Sequence, residues 1–96
     1  MSVQIDFDER DVRAAGEYLF VDETALDLYH VYSEDGRQHL VDFRTGMCTC
    51  EDAQYRTPED GCKHYRRVEM QLGQRSIPPG VHVDPLLEAA REAIDA

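Results

Sequence analysis

All three cysteines of this 96-residue chain fall between Cys48 and His64, in the order C-x-C…C-x-H. No other feature limits the fold as much. A domain of this length buries only about 60–65% of the surface its unfolded chain exposes, so its core is small and a covalent or metal staple would stabilise it. Three thiols cannot all pair within one chain. The opening MSVQIDFDERD has neither a basic start nor an apolar run, so no secretion signal is expected. No stretch approaches the roughly 20 apolar residues of a membrane span. The expected setting is cytoplasmic, where thiols stay reduced. There, clustered Cys and His point to metal or catalysis before disulfides.

The two pairs must work differently. Side chains at i and i+2 of an extended strand point the same way, so Cys48 and Cys50 can aim two sulfurs at one point. In a helix, i and i+2 lie about 200° apart, so Cys62 and His64 cannot both face one ion from a helix interior. Cys62 is therefore expected at or before a helix N-cap, with His64 in the first turn. Gly61 supplies backbone freedom, and free N–H groups at the helix start would face the Cys62 sulfur. Three thiolates and an imidazole make the Cys₃His set of a closed structural zinc site; soft sulfur favours Zn²⁺ over Mg²⁺ or Ca²⁺, while Fe²⁺ or Co²⁺ would also fit the donors. Eleven residues separate the pairs. Closing that loop through one ion would add several kcal/mol to a small core, on the order of ordinary metal-linked folding.

Around the cluster the sequence reads as an α+β chain. DFDERDVRAAGEYL predicts a short helix capped by Asp8, with Glu9 and Asp11 at its positive end. Val12, Ala15 and Leu19 share its apolar side, and Gly16 weakens or ends it. Residues 24–32 predict a strand with Leu26, Leu28, His30 and Tyr32 on one face. SEDG is the turn, with Gly36 at positive φ. Residues 37–43 return, with His39, Val41 and Phe43 sharing a side, in a sheet of two or three antiparallel strands. RTG then turns the chain into Met47. CKHYRRVEMQLG predicts a helix ended by Gly73, with His64, Tyr65, Val68 and Leu72 on one side and Lys63, Arg66, Arg67 and Gln74 on another. QRSIPPG is a connector. Asp84 caps a C-terminal helix over residues 84–95, with Pro85 at its first position and an apolar stripe of Leu86, Leu87, Ala90 and Ile94. That stripe can cover the sheet or pair with another chain. Covering is favoured, because the core is otherwise small.

Common fingers space their ligands as C-x₂₋₄-C and H-x₃₋₅-H. C-x-C…C-x-H, with CTC at 48–50 and CKH at 62–64, instead resembles the SWIM-type zinc finger. The resemblance runs from about Tyr18 to Leu72 and includes the strand pair ahead of CTC and the helix carrying KHYRRV. It is most similar to the small, nearly free-standing members from haloarchaea. It implies Cys48, Cys50, Cys62 and His64 as ligands of one zinc in a β-β-α unit. It also implies DNA binding or protein–protein contact, since such modules sit within transposases, remodelling ATPases and ubiquitin ligases. The whole chain, 1–96, then reads as one zinc-binding domain with its core at about 18–72.

Charge bears on the partner. The chain holds 10 basic against 20 acidic residues, a net charge of -10, and Lys63 is its one lysine. Such acidity suits a salt-rich cytoplasm, hence a halophilic origin, and matches phosphate backbones poorly. Residues 51–75 are the exception, with five charges of each sign. Within them Lys63, Arg66 and Arg67 form a basic stripe. Its ordinary reading is a solvated face paired with Glu59, Asp60 or Glu69. Its functional reading is a contact surface for a phosphate or an acidic partner. His30 and His39 read as ordinary strand residues and His82 as a loop residue. A redox dithiol at Cys48–Cys50 leaves Cys62 and His64 unexplained. A Cys62–His64 nucleophile–base pair has no oxyanion donor or orienting group in the sequence. No enzyme activity is expected. The expected function is a structural-zinc adaptor that presents the 63–72 helix to a protein. The alternative is a regulatory nucleic-acid-binding finger.

Overall fold

Asp8 opens the first helix as its side-chain chemistry dictates: its backbone is extended and its carboxylate accepts the Arg10 N–H at 2.9 Å. The computed structural model describes residues 8–95. The leader reading of residues 1–7 lies outside them. Helix α1, Glu9–Gly16, stops at Gly16. Leu19, expected on its apolar side, belongs to the first strand and is buried there.

Four antiparallel strands follow as a simple meander: β1 (Leu19–Ala25), β2 (Leu28–Ser33), β3 (Gln38–Asp42) and β4 (Met47–Cys48). The sheet is thus larger than the two or three strands expected. The reason lies at Leu26–Asp27, which the sequence pattern ran through as strand. Asp27 takes φ 60, a left-handed conformation that Asp tolerates, and folds β1 back on β2. The next two turns match expectation. Gly36 has φ 88 and donates to the Ser33 carbonyl, and Gly46 has φ 78 and donates to the Asp42 carbonyl.

The sheet faces differ from the expected pattern. Tyr29 and Val31 are buried, whereas Leu26 is 78% exposed in the turn and Leu28, His30 and Tyr32 lie on the opposite, half-buried face. The stretch LYHVY has apolar residues in both registers, so periodicity alone does not choose the inner face. The inner face meets helix α2, Lys63–Gln71. Leu19, Tyr29, Val31 and Val41 pack with Val68 and the three cysteines in one cluster.

Helix α1 lies against the other side of α2, which therefore has no broad solvated face. Arg66 and Arg67 are 2% and 0% exposed. The basic stripe is thus corrected: only Lys63 of the three remains at the surface. Arg66 donates to Asp8 at 2.8 Å, Asp11 at 3.2 Å and the Gly61 carbonyl at 2.9 Å. Its carboxylate partners come from α1 and its N-cap, not from Glu59, Asp60 or Glu69.

Asp84 caps helix α3, Pro85–Asp95, by accepting the Leu86 N–H at 3.2 Å. The helix folds back on its own chain, but not over the sheet. Leu87 joins Ala14, Ala15 and Met70 in a second apolar cluster, with Ile77, Val81 and Val83 of the connector around it. His82 is an exposed connector residue whose carbonyl lies close to Gly16. Among the described residues no helix is long and apolar enough to cross a membrane.

Carboxylates tie the helices to the rest, and acid should release them. The Arg66 guanidinium holds Asp8 below the usual carboxylate range, and the Arg10 guanidinium does the same for Asp52. Burial pushes Asp84 up, but Arg67 and the Leu19 and Leu86 N–H groups outweigh it and hold it low. A carboxylate lowered by folding contributes stability that is complete above its ordinary value near 3.8 and is lost as pH falls through the lowered value. Stability should therefore drop below about pH 4. In Asp52→Asn the acid limb of a melting-point profile should be shallower. An unchanged limb would remove Asp52 from this account.

Candidate metal centre

The four donors arrive from two directions. Strand β3 pairs with β4, Val41 opposite Cys48, and the Thr49 N–H donates to the Leu40 carbonyl at 3.1 Å. This pairing fixes Cys48, and a bend at Thr49–Cys50, rather than a continued strand, accompanies the arrival of Cys50 in the same cluster. After Cys50 the chain makes one π-helical turn, Asp52–Arg56. Within it the Ala53 N–H donates to the Cys50 sulfur at 3.4 Å. Arg10 clamps the turn from α1 through both oxygens of Asp52, each at 2.8 Å.

The second pair follows the geometry argued from spacing. Cys62 is the N-cap of α2, with φ -78 and ψ 175, and His64 is the second residue of the helix. One expectation fails: the Cys62 sulfur accepts no backbone N–H. It faces the His64 ring instead, 3.8 Å from Nδ1. Gly61 makes the approach at φ 89, where a Cβ would lie 2.5 Å from the Tyr65 ring. Gly61→Ala should cost about 1–3 kcal/mol for the left-handed backbone alone, and the clash with Tyr65 should add to it. Denaturant melts check this, and a cost below about 0.5 kcal/mol would contradict it.

Cys48, Cys50, Cys62 and His64 are 3%, 5%, 1% and 3% exposed, and their donor atoms all lie within 4.8 Å of one another. The Cys48 sulfur is also 3.8 Å from His64 Nδ1. A tetrahedral shell with metal–sulfur bonds of about 2.3 Å and a metal–nitrogen bond of about 2.0 Å has edges of roughly 3.5–3.8 Å. The two sulfur–nitrogen separations fit, and the longest separation needs to close by no more than about 1 Å. The cluster can hold one metal ion. No other group of three or more His, Cys, Asp or Glu donors gathers so among the described residues.

Its electrostatics ask for a cation. Three sulfurs in one dry space compete for protons. Cys48, held against Cys50 and Cys62 and buried, is pushed well above the ordinary thiol range. Cys50 is held far below it by Cys48, Cys62, His64 and the Ala53 N–H, against its own burial. Burial disfavours protonation of His64, yet the sulfurs of Cys50 and Cys62 overcome this and lift the imidazole to about 9. A divalent cation resolves the conflict, since it allows all three sulfurs to be thiolates and the ring to be neutral.

His39 was read as an ordinary strand residue, but its ring lies on His64, with centroids 4.5 Å apart. Period-2 alternation placed it on the Val41 side of β3. Its neighbour across the fold had no signal in the sequence. His30 lies on the far face of the sheet, within ring distance of Tyr32. Beside the cluster a cleft of about 470 Å³ gathers Arg10, Arg13, Arg37, Arg56 and Lys63. These are half of the ten basic residues in the chain. The pairing noted for Arg10 extends to the others: Arg13 to Glu9, Arg37 to Asp35, Arg56 to Asp52 and Lys63 to Glu17. No family model, curated protein or solved structure matches the chain.

Proposed function

We propose that the chain is a SWIM-type module whose single Zn²⁺ is structural, and that it acts as a non-enzymatic adaptor for another protein. The observation that carries this is the closed donor set. Four protein donors within 4.8 Å of one another would complete a tetrahedral shell around one ion and leave no position for water or substrate, as in structural rather than catalytic zinc sites. When bound, the ion would fasten the end of β4 to the start of α2. Three thiolates and Zn²⁺ would leave the site at about -1.

The identity of the partner is argued from charge. Arg66 and Arg67 serve internal pairs, so the helix offers Lys63 alone of its three expected phosphate contacts. The basic cleft beside the metal favours a second reading, a nucleic-acid-binding finger. Against it, the five cations there pair with four carboxylates, Asp52 serving both Arg10 and Arg56, and the chain as a whole carries a net charge of -10.

Native mass spectrometry should find one zinc per chain. Affinity capture from a native lysate at the salt of the source cell, with and without nuclease, then separates the readings. A protein retained through nuclease treatment and high salt supports the adaptor. Capture lost with nuclease, and falling steeply with salt, would replace it with the nucleic-acid reading.

A further inference from the structure

The sheet has two faces, and the helices use one. Leu19, Val21, Tyr29, Val31 and Val41 pack toward α2. Strand register places Phe20, Asp22, His30, Tyr32, Leu40 and Asp42 on the other. A solvated sheet face is ordinarily polar. This one carries a row of rings: Phe20 lies 6.1 Å from Tyr32, and Tyr32 lies 6.1 Å from His30, centroid to centroid. Phe20 is 54% exposed, as is its near neighbour Tyr18 at 56%.

Carboxylates border the rings. Asp22 sits directly opposite His30, and Asp42 opposite Leu28. Across residues 18–45 acids outnumber bases six to two. The two bases, Arg37 and Arg44, lie in the turns against Asp35 and Asp27. Aromatic faces attract a cation through their quadrupole, and a carboxylate at the ring edge gives that cation an ion-pair partner. The same face repels phosphates and acidic segments.

We propose that this face of the sheet docks a basic segment of a partner protein, with an arginine seated over Phe20 and Tyr32 and paired to Asp22. The inference rests on the adaptor reading and moves the contact from α2 to the far side of the sheet. Arginine fits better than lysine because its planar guanidinium stacks on a ring and still offers edge donors to a carboxylate.

The test is an NMR titration of the ¹⁵N-labelled, zinc-loaded full chain at low salt. The probes are the peptide Ac-Gly-Arg-Gly-Arg-Gly-NH₂ and its counterpart with glutamate for arginine. The arginine peptide should shift amides centred on Phe20, Asp22, His30 and Tyr32, and the glutamate peptide should not. Phe20→Ser should weaken binding about fivefold or more, with zinc content and melting unchanged. Asp22→Asn should weaken it about threefold. The proposal is overturned if the shifts scatter over the acidic surface, or if Phe20→Ser binds as well as the parent. It is also overturned if the free chain self-associates through Phe20, if residues 1–7 give persistent contacts to these rings, or if an oligonucleotide binds at the same amides. A partner captured from lysate equally well by Phe20→Ser would remove this surface and leave the adaptor standing. Focused arginine binding with no protein captured would remove the adaptor alone.

Discussion

Cys62→Ser should empty the metal site and abolish cooperative melting. The substitution is informative because serine is a better helix cap than cysteine. The Cys62 sulfur takes no backbone N–H, so nothing of the cap is lost, and a hydroxyl could gain one. Loss of bound metal therefore reports on the sulfur as a ligand, whereas lost stability also includes the cost of a hydroxyl in the apolar cluster. Metal binding in structural Cys/His sites contributes about 10–16 kcal/mol, whereas a small domain holds a net of only about 5–15 kcal/mol. Much of the first apolar cluster is the cysteines themselves, gathered against Val68 and the inner face of the sheet. Bound zinc should fall from one per chain to under about a tenth under chelator competition. The thermal transition should flatten, as it should for the parent treated with EDTA. A Cys62→Ser chain that melts cooperatively without metal would show that the four donors do not act together.

The sequence stated the local geometry of the site well because that geometry is set by short-range rules. One residue between Cys48 and Cys50 predicts an extended backbone, and one between Cys62 and His64 predicts a helix start. The structure has the helix start, with Cys62 as the N-cap, but the strand ends at Cys48 and the chain bends at Thr49 and Cys50. Asp8, Gly36, Gly46 and Asp84 were legible for the same reason, since caps and turns depend on their own few residues. What the sequence left open depends on which surfaces meet. LYHVY offers apolar residues to both faces, and only the position of α2 decides that Tyr29 and Val31 go inward. The turn at Asp27 has no glycine to mark it. Arg66 and Arg67 look like surface residues because arginine usually is one. Their burial follows from α1 covering α2, a contact between segments some fifty residues apart.

Arg67→Lys should be nearly as damaging as Arg67→Ala, at about 3–5 kcal/mol each. The reason is donor arithmetic. A guanidinium has five N–H donors in a fixed fork, and the Arg67 side chain makes five bonds. Nε donates to Gln71 Oε1 at 3.1 Å, Nη1 to the carbonyls of Ala14 at 3.2 Å and Glu17 at 2.9 Å, and Nη2 to the Leu19 carbonyl at 3.0 Å and to Asp84. Apart from Gln71 of α2 itself, those partners are the end of α1, the start of β1 and the cap of α3. One side chain from α2 thus joins three segments that share no continuous strand or helix. A lysine ammonium has three donors and no plane, so it would leave at least two of these buried acceptors without a partner, along with part of the Asp84 charge balance. Asp84 should also couple to the substitution. It stays ionised because Arg67 faces it, and with Arg67 gone a buried carboxylate is stranded. Asp84→Asn removes that charge and keeps an acceptor for one of two N–H groups, since Leu19 and Leu86 donate to different carboxylate oxygens and an amide NH₂ cannot accept. Arg67→Met with Asp84→Asn should therefore be more stable than Arg67→Met alone, although still below the parent because three carbonyls lose their donor. Urea melts of the zinc-saturated proteins read all four variants. An Arg67→Lys chain within about 1 kcal/mol of the parent would mean that charge alone, and not the five-bond fork, holds α1, β1 and α3 to α2.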